Sequence, residues 1–115
     1  IRKSIKGSLK KKGFRKDGIA ETYLGLSKND YIDYITFLFK KGMSWDNRSE
    51  WHIDHIIPLA TAKTHDEIRE LWHYTNLQPL WVRENLEKSD SLTWVDENPA
   101  PNKGKKWIPK EEKDL

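Results

Sequence analysis

Asp54 and His55 stand side by side in the otherwise apolar run WHIDHIIPLA, residues 51–60. A charge inside a protein has to be paired or coordinated, because an isolated buried charge is costly. A carboxylate can bind a hard divalent cation. An imidazole, with an ordinary pKa of about 6.5, can take a proton from a water molecule. The pair predicts either an unusual structural contact or a functional site.

The residues around this pair predict two strands and a helix. Residues 51–57 have the pattern of a strand, which Pro58 ends. Residues 76–80, NLQPL, have the pattern of a second short strand. A helix is predicted directly after it, over about 81–88. In this strand–strand–helix order, the polar residues of all three elements could contribute to one site.

Further helices are predicted outside this unit. Ser27 and Thr64 each precede an acidic residue by three positions, which is typical of a capping box at a helix start. The first helix is expected to run to about Lys41 and the second to about His73. Residues 1–12 carry isoleucine and leucine at steps of four among lysines, which predicts an amphipathic helix.

Positive charge is concentrated at the two ends of the chain. Residues 1–16 carry eight basic groups and no acidic one, while residues 17–101 carry eight basic and fifteen acidic groups. Residues 102–115 add five lysines against three acids. A basic arm on an acidic body indicates a polyanionic partner such as nucleic acid, with a solvated terminus as the alternative. The expected phosphate contacts in the arm are Lys10, Lys11, Lys12 and Arg15.

The composition excludes several classes of protein. A chain of 115 residues suits one domain, and the absence of cysteine excludes disulfides and thiolate zinc sites. No apolar run approaches the ~18 residues that span a membrane, and no signal peptide is visible, so we expect a cytoplasmic protein. Because the chain begins at Ile1, a domain of a secreted toxin is the alternative. Trp45, Trp51, Trp72 and Trp81 are predicted in the core. Trp94 and Trp107 are predicted to dock the tail, with stacking on a base as the alternative.

The segments IDHIIPLA, YTNLQPLW and ENLEKSD, in this order, resemble the HNH endonuclease family, especially phage and prophage members and the HNH domain of CRISPR effectors. Asn85 stands at the third motif position, where Asn is one of the family's variants. The resemblance covers roughly residues 50–90. It implies an α+β fold with a small ββα-metal core. Residues 1–49 are then a basic helical extension and residues 91–115 an irregular basic tail of the same domain.

The resemblance also implies roles for four residues. Asp54 and Asn85 would be the metal ligands, so that Asp54 finds its counter-charge in a divalent cation. His55 would be the general base, and Asn76 would sit in the turn that orients it. A neutral amide ligand favours Mg²⁺ or Mn²⁺ over tightly held zinc, with Zn²⁺ and Ni²⁺ as alternatives.

Three further residues are candidates for substrate binding. Lys88 lies one turn beyond Asn85, so it is expected either to hold a phosphate or to be solvated. His52 shares a strand face with Asp54 and could be an extra ligand, a phosphate contact or a packed histidine. His73 is expected either to pack within the segment between the strands or to touch the substrate backbone.

The implied function is a metal-dependent endonuclease that hydrolyses phosphodiester bonds in DNA. The duplex is the expected partner, with RNA as an alternative substrate. A monomer is expected to nick one strand, whereas a homodimer could cut both. The competing hypothesis is a non-catalytic nucleic-acid-binding module with a degenerate core of the same type.

Overall fold

The computed structural model describes residues 19–110. The described helices are α1 (Ile19–Leu24), α2 (Lys28–Phe37), α3 (His65–Leu71) and α4 (Val82–Lys88), and the strands are β1 (Trp51–His55) and β2 (Leu77–Trp81), with short 3₁₀ turns between them. The predicted helix over 1–12 and the predicted phosphate contacts Lys10, Lys11, Lys12 and Arg15 lie outside the described residues. No helix within 19–110 combines the length and the apolar character needed to cross a membrane.

The two strands form an antiparallel sheet in which Trp51 pairs with Trp81 and Asp54 with Gln78. Helix α4 follows β2 without a loop and contacts both strands. The predicted α+β class is confirmed at this level: a small protein with a two-stranded sheet and several helices. Strand β1 ends two residues before the predicted limit, since the Ile57 N–H donates to the Asn76 side chain instead of to strand backbone.

Both predicted capping residues start a helix. The Ser27 hydroxyl accepts from the Asp30 N–H at 3.2 Å, and the Thr64 hydroxyl accepts from the Glu67 N–H at 3.1 Å. Helix α2 ends at Phe37 and not near the predicted Lys41. Past the end of α2 the chain forms turns, and the Lys40 side chain contacts carboxylates of two other segments.

Helix α3 also ends earlier than predicted, at Leu71 instead of about His73. His73 has an extended backbone and serves as the N-cap of the next 3₁₀ turn, where its ring accepts from the Thr75 N–H. His73 therefore caps the 3₁₀ turn that follows and does not extend α3.

The core lies between α2 and β1. Ile35, Met43 and Trp51 are buried together, and they are surrounded by Tyr31, Tyr34, Phe39, Ile53 and Trp81. Trp51 is fully buried, and its indole N–H donates to the Ser44 carbonyl at 2.9 Å. Burial raises the pKa of both Tyr31 and Tyr34 above the ordinary value. Trp45, which was predicted in the core, packs edge-on against Trp51 but is 39% exposed.

The segment after α4 has no strand within the described range and returns across α2. The Trp107 indole N–H donates to the Asp33 carboxylate at 2.9 Å, and the ring packs edge-on against Tyr34. The Lys110 N–H donates to the Asp30 carboxylate at 3.0 Å. The predicted docking of the tail through Trp107 is confirmed.

A buried ion cluster joins three parts of the chain. The Lys40 ammonium, whose side chain is 5% exposed, lies 2.8 Å from the Glu84 carboxylate and 2.7 Å from that of Asp96. These residues belong to the turn after α2, to α4 and to the C-terminal segment. The cluster therefore positions α4, and with it the residues that α4 places against β1.

Candidate functional site

Asp54 and His55 lie at the end of β1 and line a cleft of about 250 Å³. The two residues are 1% and 2% exposed, so they form its inner wall. The other lining residues of this Asp54–His55 cleft are Pro58, Leu59, Ala60, Ser89 and Asp90. The chain therefore brings together the end of β1, the turn after it and the residues that follow α4.

Side chains of β2 and α4 contact the Asp54 carboxylate. The Gln78 amide donates to the carboxylate at 2.9 Å from the paired position on β2. The Lys88 ammonium, which reaches over from α4, lies 3.4 Å from the same oxygen, Oδ2. The fold thus places an ammonium group beside the carboxylate for which the sequence predicts a divalent cation as counter-charge, and that cation stays a prediction.

Lys88 is buried, with only 4% of its surface exposed. Its ammonium also donates to the backbone carbonyl of His55 at 2.9 Å. The alternative of a solvated lysine is wrong, and the predicted phosphate contact has to compete with two internal partners. The i, i+3 spacing from Asn85 indicates a common helix face, but only the packing of α4 on β1 turns that face inward.

His52 and Asn85 form a second contact between β1 and α4. Their Nδ1 and Nδ2 atoms lie 3.4 Å apart. Asn85 precedes Lys88 by one helical turn and His52 precedes Asp54 by two strand positions, so β1 and α4 are joined by two successive side-chain pairs. His52 thus packs against the predicted ligand Asn85, and Asn85 is not among the residues that line the Asp54–His55 cleft.

The ring of His55 packs edge-on against Trp72, with ring centroids 4.3 Å apart and an interplanar angle of 87°. Trp72 follows α3 as its C-cap residue. The segment inserted between the two strands therefore supplies one wall for the imidazole. The backbone carbonyl of His55 is bound separately by the Lys88 ammonium.

Asn76 binds the segment that follows His55. Its side-chain carbonyl accepts from the Ile57 N–H at 2.8 Å, and its amide donates to the Ile57 carbonyl at 3.1 Å and to the Leu71 carbonyl at 2.9 Å. Its backbone carbonyl accepts from the Ile56 N–H at 2.8 Å. Asn76 therefore joins the two residues that follow His55 to the end of α3, and the orientation of His55 by this turn stays a prediction. Its part in catalysis stays a prediction.

Replacing Asn76 by Asp should destabilise the protein by about 1–3 kcal/mol, since a carboxylate oxygen would face two carbonyl groups that have lost their donor. Urea unfolding followed by tryptophan fluorescence measures this change. Asn98→Asp, at an exposed asparagine, is the matched control and should stay within about 0.5 kcal/mol of wild type. Equal stability of the two variants would contradict the proposed role of the Asn76 amide.

His73 lies in the inserted segment and does not line the Asp54–His55 cleft. Its Nδ1 is 2.8 Å from the Thr75 hydroxyl. A Cβ atom at Gly25 would come within 2.7 Å of the His73 Nε2, and Gly25 has a φ of +77°, so the residue there has to be glycine. Of the two predicted alternatives, the structure favours packing within the insert over contact with a substrate.

Ser89 and Asp90 were not assigned from the sequence, although both line the cleft. Ser89 has a φ of 45°, which is strained for a residue with a Cβ atom. The Ser91 N–H donates to the Lys88 carbonyl at 2.8 Å and closes a tight turn there. In the sequence, these two polar residues stand directly after the predicted helix, and this position could have indicated them. The turn at this point brings them back towards β1.

The donor chemistry of Asp54 and Asn85 suits a hard divalent cation, because both offer oxygen atoms. Within residues 19–110, no group of three or more His, Cys, Asp or Glu side chains is arranged to hold a metal ion. A cation bound through Asp54 and Asn85 would therefore need water or phosphate oxygens to complete its coordination. It would also meet the Lys88 ammonium at Asp54.

Comparison with known proteins identifies one curated relative with no assigned activity. "Uncharacterized protein L426" of Acanthamoeba polyphaga mimivirus is 38% identical over 73 residues, which cover 61% of this chain and 32% of that protein. The chain thus spans about a third of the length of this relative. No family model and no solved structure matches the chain. Inference about function therefore depends on the residues of the site.

Proposed function

We propose that this chain is a metal-dependent DNA endonuclease that hydrolyses phosphodiester bonds, with His55 as the general base. The observation that carries the proposal is the placement of Asp54 and His55 on the inner wall of an open cleft, at the end of β1. The order β1, β2, α4 and the HNH-like sequence of these elements support it. The resemblance assigns the same two residues to this chemistry.

In this mechanism an imidazole nitrogen of His55 removes a proton from the attacking water. Trp72 holds the plane of the ring and Lys88 holds the backbone carbonyl, so the base is oriented before substrate arrives. A divalent cation held by Asp54 and Asn85 would stabilise the charge that develops on the phosphate and the departing oxygen. The neighbouring cleft surface would receive the phosphate group.

The proposed substrate is double-stranded DNA, bound through its phosphates. Lys103, Lys105 and Lys106 are exposed in the C-terminal segment, and residues 1–16 add eight basic groups. Contacts of this kind give binding that weakens steeply with salt and carries little sequence information. A monomer with one such cleft is expected to nick one strand.

The proposal is tested with supercoiled plasmid in the presence of Mg²⁺, Mn²⁺ or EDTA. We expect open-circular product with the metals and none with EDTA, and nicks that DNA ligase reseals because they carry 3′-hydroxyl and 5′-phosphate ends. Binding of DNA without cleavage in Mg²⁺, Mn²⁺, Zn²⁺ and Ni²⁺ would overturn the proposal in favour of a binding module. Cleavage of RNA alone would overturn the choice of substrate.

A further inference from the structure

The buried pair of Lys88 and Asp54 lies at the point where the proposed function requires a divalent cation. The Lys88 ammonium is 3.4 Å from the Asp54 Oδ2 and 2.9 Å from the His55 carbonyl oxygen. Both side chains of the pair are nearly inaccessible, at 5% and 2% exposure. A buried ion pair depends strongly on each partner, because removal of one takes a counter-charge away from the other.

The Lys88 ammonium lies 3.4 Å from Asp54 Oδ2, so a divalent cation on either oxygen of this carboxylate would be strongly repelled by it in a poorly solvated site. The lysine stem is long and flexible, so the ammonium can leave Asp54 by rotation of the side chain. Its hydrogen bond to the His55 carbonyl does not involve the carboxylate. The Lys88 side chain could therefore release Asp54 while it still fixes the end of β1.

We propose that Lys88 is the resident counter-cation of Asp54, and that a divalent cation binds Asp54 only by displacing this ammonium from the carboxylate. This inference rests on the proposed function, in which Asp54 is a metal ligand. In the metal-free protein Lys88 compensates the buried charge and holds the site in place. Affinity for metal alone is then weak, because every binding event has to break the ion pair.

The test compares wild type with Lys88→Met, which keeps the length of the side chain and removes its charge. Mn²⁺ binding is measured from the electron paramagnetic resonance signal of the free ion, and thermal unfolding is recorded with and without Mn²⁺. We expect Lys88→Met to bind Mn²⁺ at least about tenfold more tightly, which corresponds to about 1.4 kcal/mol. Without metal the variant should have a lower melting temperature than wild type. Mn²⁺ should raise the melting temperature of the variant more than that of wild type.

Two further variants keep the test decisive if Lys88→Met folds only with metal. Lys88→Arg retains the positive charge and should keep the weak affinity of wild type. The double variant Asp54→Asn with Lys88→Met removes both charges, so it should fold without metal and lose the enhanced Mn²⁺ binding. If Lys88→Met binds Mn²⁺ no more tightly than wild type, or if the double variant keeps the enhancement, the proposal is overturned.

The outcomes for this inference and for the proposed function can be distinguished. Tight, Asp54-dependent Mn²⁺ binding by Lys88→Met without nicking by the wild-type protein would support the counter-cation and remove the nuclease. Metal-dependent nicking by wild type, with unchanged Mn²⁺ affinity in Lys88→Met, would support the nuclease and remove the counter-cation.

Discussion

Replacement of His55 by Ala should lower the rate of plasmid nicking by about 10²–10⁴-fold, the usual contribution of a positioned general base. His55 lies in the cleft wall beside Asp54. Lys88 binds its backbone carbonyl, and Trp72 packs against its ring. No other histidine lines the described cleft. Initial rates with Mg²⁺ or Mn²⁺ at equal protein concentration measure the effect.

Because His55 is buried against Trp72, truncation also leaves a cavity. His55→Gln is therefore measured alongside it, since it retains most of the side-chain volume but has no group that takes up a proton near neutral pH. Circular dichroism and thermal melting establish that each variant is folded. His65→Ala, at an exposed histidine in the first turn of α3, is the matched control and should nick like wild type. Nicking by folded His55→Gln at the wild-type rate would refute the assignment of the base.

Replacement of Lys40 by Met should lower the free energy of unfolding by about 3–5 kcal/mol, as expected when one partner of a buried ion cluster is removed. The ammonium lies within 2.8 Å of both Glu84 and Asp96, whose side chains are 13% and 7% exposed. Without it, two carboxylates would be left together in a poorly solvated site. Urea unfolding followed by tryptophan fluorescence measures the loss.

Lys103→Met is the matched control for this prediction. The Lys103 ammonium approaches the same Asp96 carboxylate at 3.9 Å, but its side chain is 53% exposed. Exposed ion pairs contribute little, so this variant should lose less than about 1 kcal/mol. Equal losses for the two lysines would show that burial of the Lys40 cluster does not control its contribution to stability.

The local starts of the helices could be predicted from the sequence because they depend on neighbours three positions apart. The Ser27 and Thr64 hydroxyls bind N–H groups within the same turn, and such contacts form whatever lies across the core. The ends of α2 and α3 could not be predicted in the same way. Beyond the end of α2, Lys40 contacts carboxylates 44 and 56 positions further along the chain, which no local pattern indicates.

For the candidate site too, local features could be predicted from the sequence and long-range contacts could not. The adjacency of Asp54 and His55 and the strand–strand–helix order are visible in the sequence, and so is the turn that Asn76 occupies. The neighbours of these residues are not. Lys88 could be placed on the same helix face as Asn85, but no local pattern indicates that this face packs on β1 and becomes buried.

The sequence allows three roles for His52, and the structure places it against Asn85. Two contacts of the site join residues that are 33 positions apart in the sequence. They are the contact of His52 with Asn85 and the hydrogen bond from Lys88 to the His55 carbonyl. By itself, the sequence determined which chemical groups are present and which short segments carry them. Only the tertiary structure decided which cation lies beside Asp54, because that depends on the packing of α4 against β1.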